Sequence, residues 1–248
     1  MSSELPLAKR LEEHRLAEVH GHQFGPYIHD IVYGANDGII TTFAVVAGTV
    51  GADLPGVIII ILGIANLLAD GVSMAAGAYL SLKSARDHYE QIRAEEAMEV
   101  RTHPELEREE VRQALQAKGF AGEDLKRALC VLTAKEDLWV DTMMVEEHGL
   151  VRTTSENPLR HGLATLLSFV LFGSIPLLPY ATLKNGGSFA IAIASTALAL
   201  FLLGLTRSRV TRQRPIRGVI EVLTMGLVSG GIAYGVGALL REIVSVTL

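Results

Sequence analysis

The sequence has little cysteine and few aromatic residues. Cys130 is the only cysteine among 248 residues, so the chain can form neither an intramolecular disulfide framework nor a zinc site with several cysteines. Aromatic residues make up 6% of the chain, whereas 49% is hydrophobic and 24 residues are glycine. This mixture is unusual for a soluble enzyme of this size. It is typical of membrane helices, in which small residues let backbones approach closely.

A second absence concerns the beginning of the sequence. Residues 1–29 are polar and contain no long apolar run, so they do not resemble a secretory signal peptide. We therefore expect the first apolar segment to direct insertion and residues 1–29 to lie on the cytoplasmic side. Their histidines are typical either of a solvated tail or of a metal-collecting tract. These histidines are His14, His20, His22 and His29.

Five apolar segments are long enough to cross a bilayer, which takes about 20 residues. The sequence therefore predicts an all-α membrane protein with five transmembrane helices and a small helical cytoplasmic domain inserted between helices 2 and 3. The predicted spans cover residues 31–52, 56–82, 161–183, 187–206 and 217–240. The predicted divisions are a cytoplasmic segment (1–29), helices 1 and 2 (30–82), a cytoplasmic helical metal-binding domain (83–157) and helices 3 to 5 (158–248).

The basic residues predict the orientation of these segments. The connection between the fourth and fifth segments carries five arginines between Arg207 and Arg217, and loops rich in arginine stay in the cytoplasm. The two turns on the opposite side contain Lys184 as their one basic residue. With five spans, the N-terminus and residues 83–157 lie on the same side as the arginines, so we expect both to be cytoplasmic.

Residues 83–157 are highly charged, and their acidic residues recur at helical spacing. Pairs of glutamates three residues apart project from one helix face, so two packed helices can direct four carboxylates into one space. Carboxylates alone suit magnesium, calcium or manganese, and nearby thioethers shift the preference towards ferrous iron. Solvated helix faces and core methionines are the alternative interpretation. Two possible capping boxes, Thr102-x-x-Glu105 and Thr133-x-x-Glu136, predict helix starts. The candidate ligands are Glu96, Glu99, Glu107, Glu110, Met143, Met144 and Glu147.

Polar residues also interrupt the first two apolar segments. Asp37 lies in the first, and Asn66, Asp70 and Met74 follow one another every four residues in the second. This spacing places the last three on one helix face. A carboxylate at membrane depth costs about 2.5 to 3.5 kcal/mol on insertion scales, and such residues usually face a bundle interior or a water-filled path. The four residues therefore predict the lining of an ion pathway.

Three stretches resemble the vacuolar iron transporter family. They are the NDG at Asn36–Gly38, the GIANLLADGVSM at Gly63–Met74 and the AYLSLKS at Ala78–Ser84. The resemblance implies a homodimer that exports ferrous iron from the cytoplasm in exchange for protons, with its pathway at the subunit interface. It also implies a cytoplasmic domain that binds iron through two Glu-x-x-Glu pairs and a Met-Met-x-x-Glu run. This sequence has those motifs at Glu96-x-x-Glu99, Glu107-x-x-Glu110 and Met143-Met144-x-x-Glu147.

The sequence departs from the family pattern at one pathway position. Asp37 and Met74 match family positions that line the pore, but Asn66 stands where plant members carry a glutamate. An amide cannot carry a proton, so proton exchange here requires Asp70 or Asp37. The ligand set also tolerates manganese or other divalent transition metals in place of iron.

Other functions explain less of the sequence. A membrane-anchored iron sensor or buffer without transport explains the acidic domain, but not the aspartates in the apolar segments. A ferritin-like diiron enzyme uses Glu-x-x-His pairs, and the sequence contains none, so we expect no enzymatic activity. The arginine cluster has a topological explanation, so we expect no nucleic-acid partner. A bacterial member, which we expect this chain to be, would lie in the plasma (inner) membrane.

Overall fold

The structure is a computed structural model that describes residues 6–7, 9–12, 27–152, 157–183, 188–210 and 214–247. Predictions for residues 13–26, including three of the N-terminal histidines, lie outside the described residues. From residue 27 onwards the regular secondary structure of the described residues consists of α-helices and short 3₁₀ segments, with no strand. The helices are α1 (Ile28–Gly51), α2 (Gly56–Thr102), α3 (Pro104–Ala117), α4 (Gly122–Leu132), α5 (Glu136–Glu146), α6 (Pro158–Gly173), α7 (Leu178–Thr182), α8 (Ser188–Val210) and α9 (Pro215–Thr247).

Five helical stretches of the described chain are long and apolar enough to cross a membrane. The prediction of an all-α membrane protein with five transmembrane helices is therefore confirmed. The cytoplasmic side of the insert after the second helix stays a prediction. The five stretches are Ile28–Gly51, Gly56–Thr102, Pro158–Thr182, Ser188–Arg209 and Pro215–Val244.

The third stretch is interrupted at its two prolines. α6 ends at Gly173, a 3₁₀ turn covers Ile175–Leu177, and α7 begins at Leu178. Proline has no backbone N–H to donate and its ring clashes with the preceding turn, so Pro176 and Pro179 end the regular helix.

The described chain divides into two compact units. The first comprises the residues up to Ala78 and those from Leu159 onwards, and the second comprises Tyr79–Pro158. Helix α2 contributes to both, because its 47 residues are more than twice the about 20 that cross a bilayer. Apart from Asp70, the charged residues of α2 begin at Lys83, and the boundary between the units lies at Ala78, so most of the apolar part of this helix belongs to the first unit.

In the first unit, small residues let α1 approach its neighbours closely. A Cβ atom built on Gly34 would lie 2.7 Å from the carbonyl oxygen of Thr165, and one built on Gly38 would overlap the carbonyl oxygen of Phe169. Close approach through glycine is a common way for membrane helices to gain packing contacts. The side chain of Phe169 is itself fully buried, so α1 and α6 form a tight seam along these two glycines.

We expect the substitution Gly38→Ala to destabilise the first unit. The added methyl group would meet a backbone carbonyl, which cannot rotate away, and overpacking of this kind costs about 1 to 3 kcal/mol. The measurement is the fraction of monodisperse protein that survives heating in detergent. Gly231→Ala is the matched control, because a Cβ atom there meets no atom within 4 Å among the described residues. Equal midpoints for both variants would contradict the close seam between α1 and α6.

The second unit packs α3, α4 and α5 against the charged end of α2. Its centre is one hydrophobic cluster that contains the only tryptophan. Two of its turns use glycine with positive φ, at Gly119 (93°) and Gly149 (64°), a conformation that costs glycine little. The buried cluster consists of Val100, Val111, Leu115, Leu125, Trp139, Val140, Met143 and Met144.

The two predicted capping boxes are wrong. The hydroxyl of Thr102 donates to the carbonyl of Met98 at 2.9 Å, and that of Thr133 donates to the carbonyl of Leu129 at 2.8 Å. Each threonine therefore bonds back to the helix that ends beside it instead of capping the next one. Helix α3 starts with Pro104 in its first turn, a position where the missing N–H of proline costs nothing.

Candidate metal site

Five of the predicted glutamates converge in the second unit. Glu96 and Glu99 lie on the last turns of α2, Glu107 and Glu110 lie on α3, and Glu147 follows the end of α5. Single carboxylate oxygens from Glu96, Glu99 and Glu107 lie within 4.8 Å of one another, and so do those from Glu107, Glu110 and Glu147. Because Glu107 belongs to both groups, the five carboxylates form one continuous acidic site.

Two of these carboxylates are removed from water. Glu96 is 3% exposed and Glu107 is 5% exposed, and the Oε2 atom of each is buried without a hydrogen-bond partner among the described residues. Burial of an ionised carboxylate without compensation is costly. A cation placed between these oxygens would supply the missing interactions, which makes the acidic site a candidate for metal binding.

The electrostatics of the acidic site oppose full ionisation. Burial and, after it, the neighbouring carboxylates of Glu110, Glu96, Glu99 and Glu147 together raise the pKa of Glu107 from 4.5 to about 7. Burial and the carboxylate of Glu147 likewise raise the pKa of Glu110. Like charges in one space disfavour the ionised forms, so the site holds protons near neutral pH unless positive charge is added.

Other acidic residues of this unit point elsewhere. The carboxylate of Glu109 accepts hydrogen bonds from Arg112 and Gln113, which lower its pKa to about 2. Glu146 pairs with Lys118, and Asp141 accepts a hydrogen bond from Arg93 at 3.2 Å. These paired acids do not belong to the acidic site.

The structure places the two candidate methionine ligands in the hydrophobic cluster. Met143 is 1% exposed and Met144 is fully buried, and both pack in the centre of the second unit. They lie one turn of helix before Glu147, whose N–H donates to the carbonyl of Met143 at 2.9 Å. Their role as thioether ligands stays a prediction, and their contribution to the core is observed.

His148 is not among the predicted ligands, but the structure places it at the acidic site. Its Nε2 atom lies 2.7 Å from Oε1 of Glu96, and atoms from His148, Glu96 and Glu147 form a third group within 4.8 Å. The hydrogen bond with Glu96 raises the pKa of this imidazole. Helical spacing separates consecutive residues by about 100°, so a regular helix could not direct both Glu147 and His148 into one site.

We expect the metal-free protein to lose stability as pH rises from about 5 to 7. The carboxyl group of Glu107 titrates near 4.5 when unfolded and about 7 when folded. Between these values the folded protein binds more protons than the unfolded chain, so the free energy of unfolding falls with rising pH. The measurement is thermal unfolding at several pH values in the presence of a chelator. Trp139 fluorescence reports the unfolding of this unit, because Trp139 packs in its hydrophobic cluster.

The variant Glu107→Gln isolates this contribution. Its stability should depend less on pH than that of the wild type between pH 5 and 7, because the amide does not titrate. Glu105→Gln is the matched control, since Glu105 is an exposed residue of the same helix. A pH profile of Glu107→Gln that parallels the wild type would show that the carboxyl group of Glu107 titrates normally.

The predicted pathway residues lie in the first unit. The side-chain amide of Asn66 donates to Oδ2 of Asp70 at 2.9 Å, so these two residues share one face of α2. The carboxylate of Asp37, on α1, is close enough to that of Asp70 for the two to repel each other. Met74 packs against the buried cluster that includes Phe169. The structure thus brings aspartates from two helices together, and their role in a pathway stays a prediction.

A buried histidine–aspartate pair between α1 and α6 is not predicted by the sequence. Nδ1 of His161 and Oδ2 of Asp30 lie 2.6 Å apart and both residues are buried. The ring of Tyr27 covers the imidazole at a centroid distance of 4.8 Å. Asp30 opens α1 and His161 opens α6, and the two are 131 residues apart in sequence. Two polar residues at the starts of apolar segments were the available signal, but no spacing rule connects them.

A second ion pair joins α8 and α9. Nη1 of Arg207 lies 3.1 Å from Oε2 of Glu221, and both side chains are about 40% exposed. Arg207 belongs to the arginine cluster that sets the predicted orientation, so this pair holds the two ends of the arginine-rich connection near each other.

Comparison with known proteins identifies the class. The model of the VIT family matches residues 28–238. A vacuolar iron transporter of Toxoplasma gondii is 34% identical over 93% of this chain and 80% of its own length. Vacuolar iron transporter 1 of Arabidopsis thaliana is 31% identical over 85% of this chain and 84% of its own length. A vacuolar iron transporter of Plasmodium falciparum is 33% identical, with coverages of 87% and 82%.

The protein is a multi-pass membrane protein of the transporter class, and it belongs to the VIT family. The resemblance in the sequence is thereby confirmed, as is the prediction that the protein is not an enzyme. The relatives named above are eukaryotic and vacuolar by name. They give no support to the expectation of a bacterial member.

Proposed function

We propose that the protein exports ferrous iron from the cytoplasm, in exchange for protons. Iron is the proposed substrate because the relatives are named as iron transporters. The observation that carries the proposal is the convergence of five glutamates on one acidic site, two of them with buried oxygen atoms that have no hydrogen-bond partner in the described part of the chain. A divalent cation balances that charge, and the site suits manganese and other divalent transition metals as alternatives.

The second part of the proposal is a path through the first unit. Asp37 and Asp70 lie close to each other within apolar helices, and Asn66 is bonded to Asp70. Carboxylate, amide and the thioether of Met74 hold an ion weakly enough to release it. Protons moving inwards would recharge Asp37 or Asp70, because Asn66 cannot carry one.

The orientation and assembly are further parts of the proposal. The arginine-rich connection between α8 and α9 lies in the cytoplasm, and so do the N-terminus and residues 83–157. We propose a homodimer, since Asn66 and Asp70 are only partly buried within one chain and polar groups of membrane helices normally face protein or water. The membrane is that of a vacuole-like organelle if the relatives' names apply, and the plasma (inner) membrane if the protein is bacterial.

The test is metal uptake into proteoliposomes, with ferrous iron and manganese compared and internal pH followed at the same time. Molecules whose cytoplasmic face points outwards should carry iron into the vesicles while protons leave. Uptake without proton movement would show that the exchange does not operate with asparagine at position 66. Folded protein that binds iron without any uptake would instead favour an iron sensor or buffer, which the separate acidic site would explain.

A further inference from the structure

His148 joins the acidic site with a kind of ligand that the glutamates do not provide. We propose that its imidazole nitrogen, together with Glu96 and Glu147, forms a metal position that favours softer transition metals over hard cations. This inference rests on the proposed function, because it concerns selectivity at the same site. The resemblance to the family assigns no role to His148, and the imidazole is an addition to the glutamate and methionine pattern.

The distances fit a shared metal ion. Nε2 of His148 lies 2.7 Å from Oε1 of Glu96, and an oxygen of Glu147 completes a group within 4.8 Å. Nitrogen and oxygen ligands at about 2.0 to 2.2 Å from a metal lie up to roughly 4.4 Å apart. Small side-chain rotations are therefore enough to place one ion between the three atoms, in the place of the proton that His148 and Glu96 share.

Burial gives a second and independent indication. Glu96 is 3% exposed, and its Oε2 atom is buried without a partner among the described residues, even though Oε1 is bonded to His148. His148 therefore bonds to only one of the two oxygen atoms of this carboxylate. A carboxylate in such surroundings gains more from a cation that both oxygens can reach than from one hydrogen bond.

The end of α5 explains how neighbouring residues reach one site. The helix ends at Glu146, and the N–H of Leu150 donates to the carbonyl of Met144 at 2.8 Å. Gly149 turns the chain with φ of 64°. Glu147 and His148 lie in this turn instead of on a regular helix, so both side chains face Glu96.

The ligand chemistry defines the expected selectivity. Carboxylates suit magnesium, calcium and manganese, whereas imidazole suits iron, nickel, copper and zinc. A site of glutamates alone would discriminate poorly against hard cations. One nitrogen ligand raises affinity for ferrous iron and cobalt more than for manganese or magnesium, so His148 acts as a specificity-determining residue.

The test compares metal binding to the full-length protein in detergent, at fixed pH, for wild type, His148→Leu and His148→Gln. Cobalt and, under anaerobic conditions, ferrous iron should bind about tenfold or more weakly to both variants. The affinity of both variants for manganese should stay within about threefold of that of wild type, because manganese prefers carboxylate ligands to imidazole. His88→Gln is the matched control, because His88 is an exposed residue of α2 outside the site. It should not change any affinity.

A direct readout separates ligation from a structural role. Cobalt bound to wild type should shift the imidazole N–H proton resonance of a coordinated histidine far outside the normal range, and both His148 variants should lose this signal. Equal losses for cobalt and manganese, without the shifted resonance in wild type, would mean that His148 only supports Glu96. Unchanged affinities would overturn the inference and leave the proposed function standing. Failure of wild type to bind any metal would overturn both.

Discussion

Replacing Asp37 with asparagine is expected to reduce metal transport to the level of vesicles without protein. The carboxylate of Asp37 lies near that of Asp70 within apolar helices, where a charge is retained only at a cost of about 2.5 to 3.5 kcal/mol. The amide keeps an oxygen ligand and the side-chain size but removes the negative charge. A divalent cation that enters this region then loses half of the aspartate charge that balances it.

The measurement is the initial rate of iron uptake into proteoliposomes, combined with iron binding to the same variant in detergent. Binding should remain, because the acidic site lies in the second unit. Asp53→Asn is the matched control: Asp53 pairs with Arg241 in an exposed position and has a positive φ of 58°, which asparagine tolerates. Wild-type uptake by Asp37→Asn would remove this residue from the pathway.

The double substitution Glu107→Gln and Glu110→Gln is expected to weaken iron binding by at least about a hundredfold. Loss of a residue that only hydrogen-bonds to a metal ligand already lowers metal affinity by about 10- to 100-fold. It should also make the metal-free protein more stable at pH 8. Burial and carboxylate repulsion raise the pKa of both residues, so their ionised forms destabilise the fold, and neutral amides remove that strain. The double substitution should therefore lower the affinity for iron and raise the stability of the metal-free protein.

Anaerobic titration with ferrous iron measures the binding, and Trp139 fluorescence during heating measures the stability. The matched control is Glu105→Gln with Glu109→Gln, two substitutions on the same helix at an exposed residue and at the partner of Arg112. This control should keep the wild-type affinity. Loss of affinity together with loss of stability in the Glu107 and Glu110 variant would mean that misfolding, and not removal of ligands, explains the result.

Apolar runs and helical spacing predicted the features of the fold that depend on residues close together in the sequence. Long apolar stretches must form helices in a bilayer, because only a helix satisfies its own backbone there, so the five spans could be counted directly. The spacing of Asn66 and Asp70 predicted one shared face, and their hydrogen bond of 2.9 Å shows it. The capping boxes failed because Thr102 and Thr133 each had a second local option, a bond to the preceding helix.

The sequence by itself determined the helical class, the five apolar helices, the break at the two prolines and the spacing of the glutamate pairs. Only the tertiary structure decided which residues meet. It brought together Glu96 and Glu107 from two helices and Glu147 from the turn after a third, added His148 from that same turn, and paired Asp30 with His161. Periodicity relates residues within one helix, whereas contacts across 131 residues of chain depend on how the helices pack.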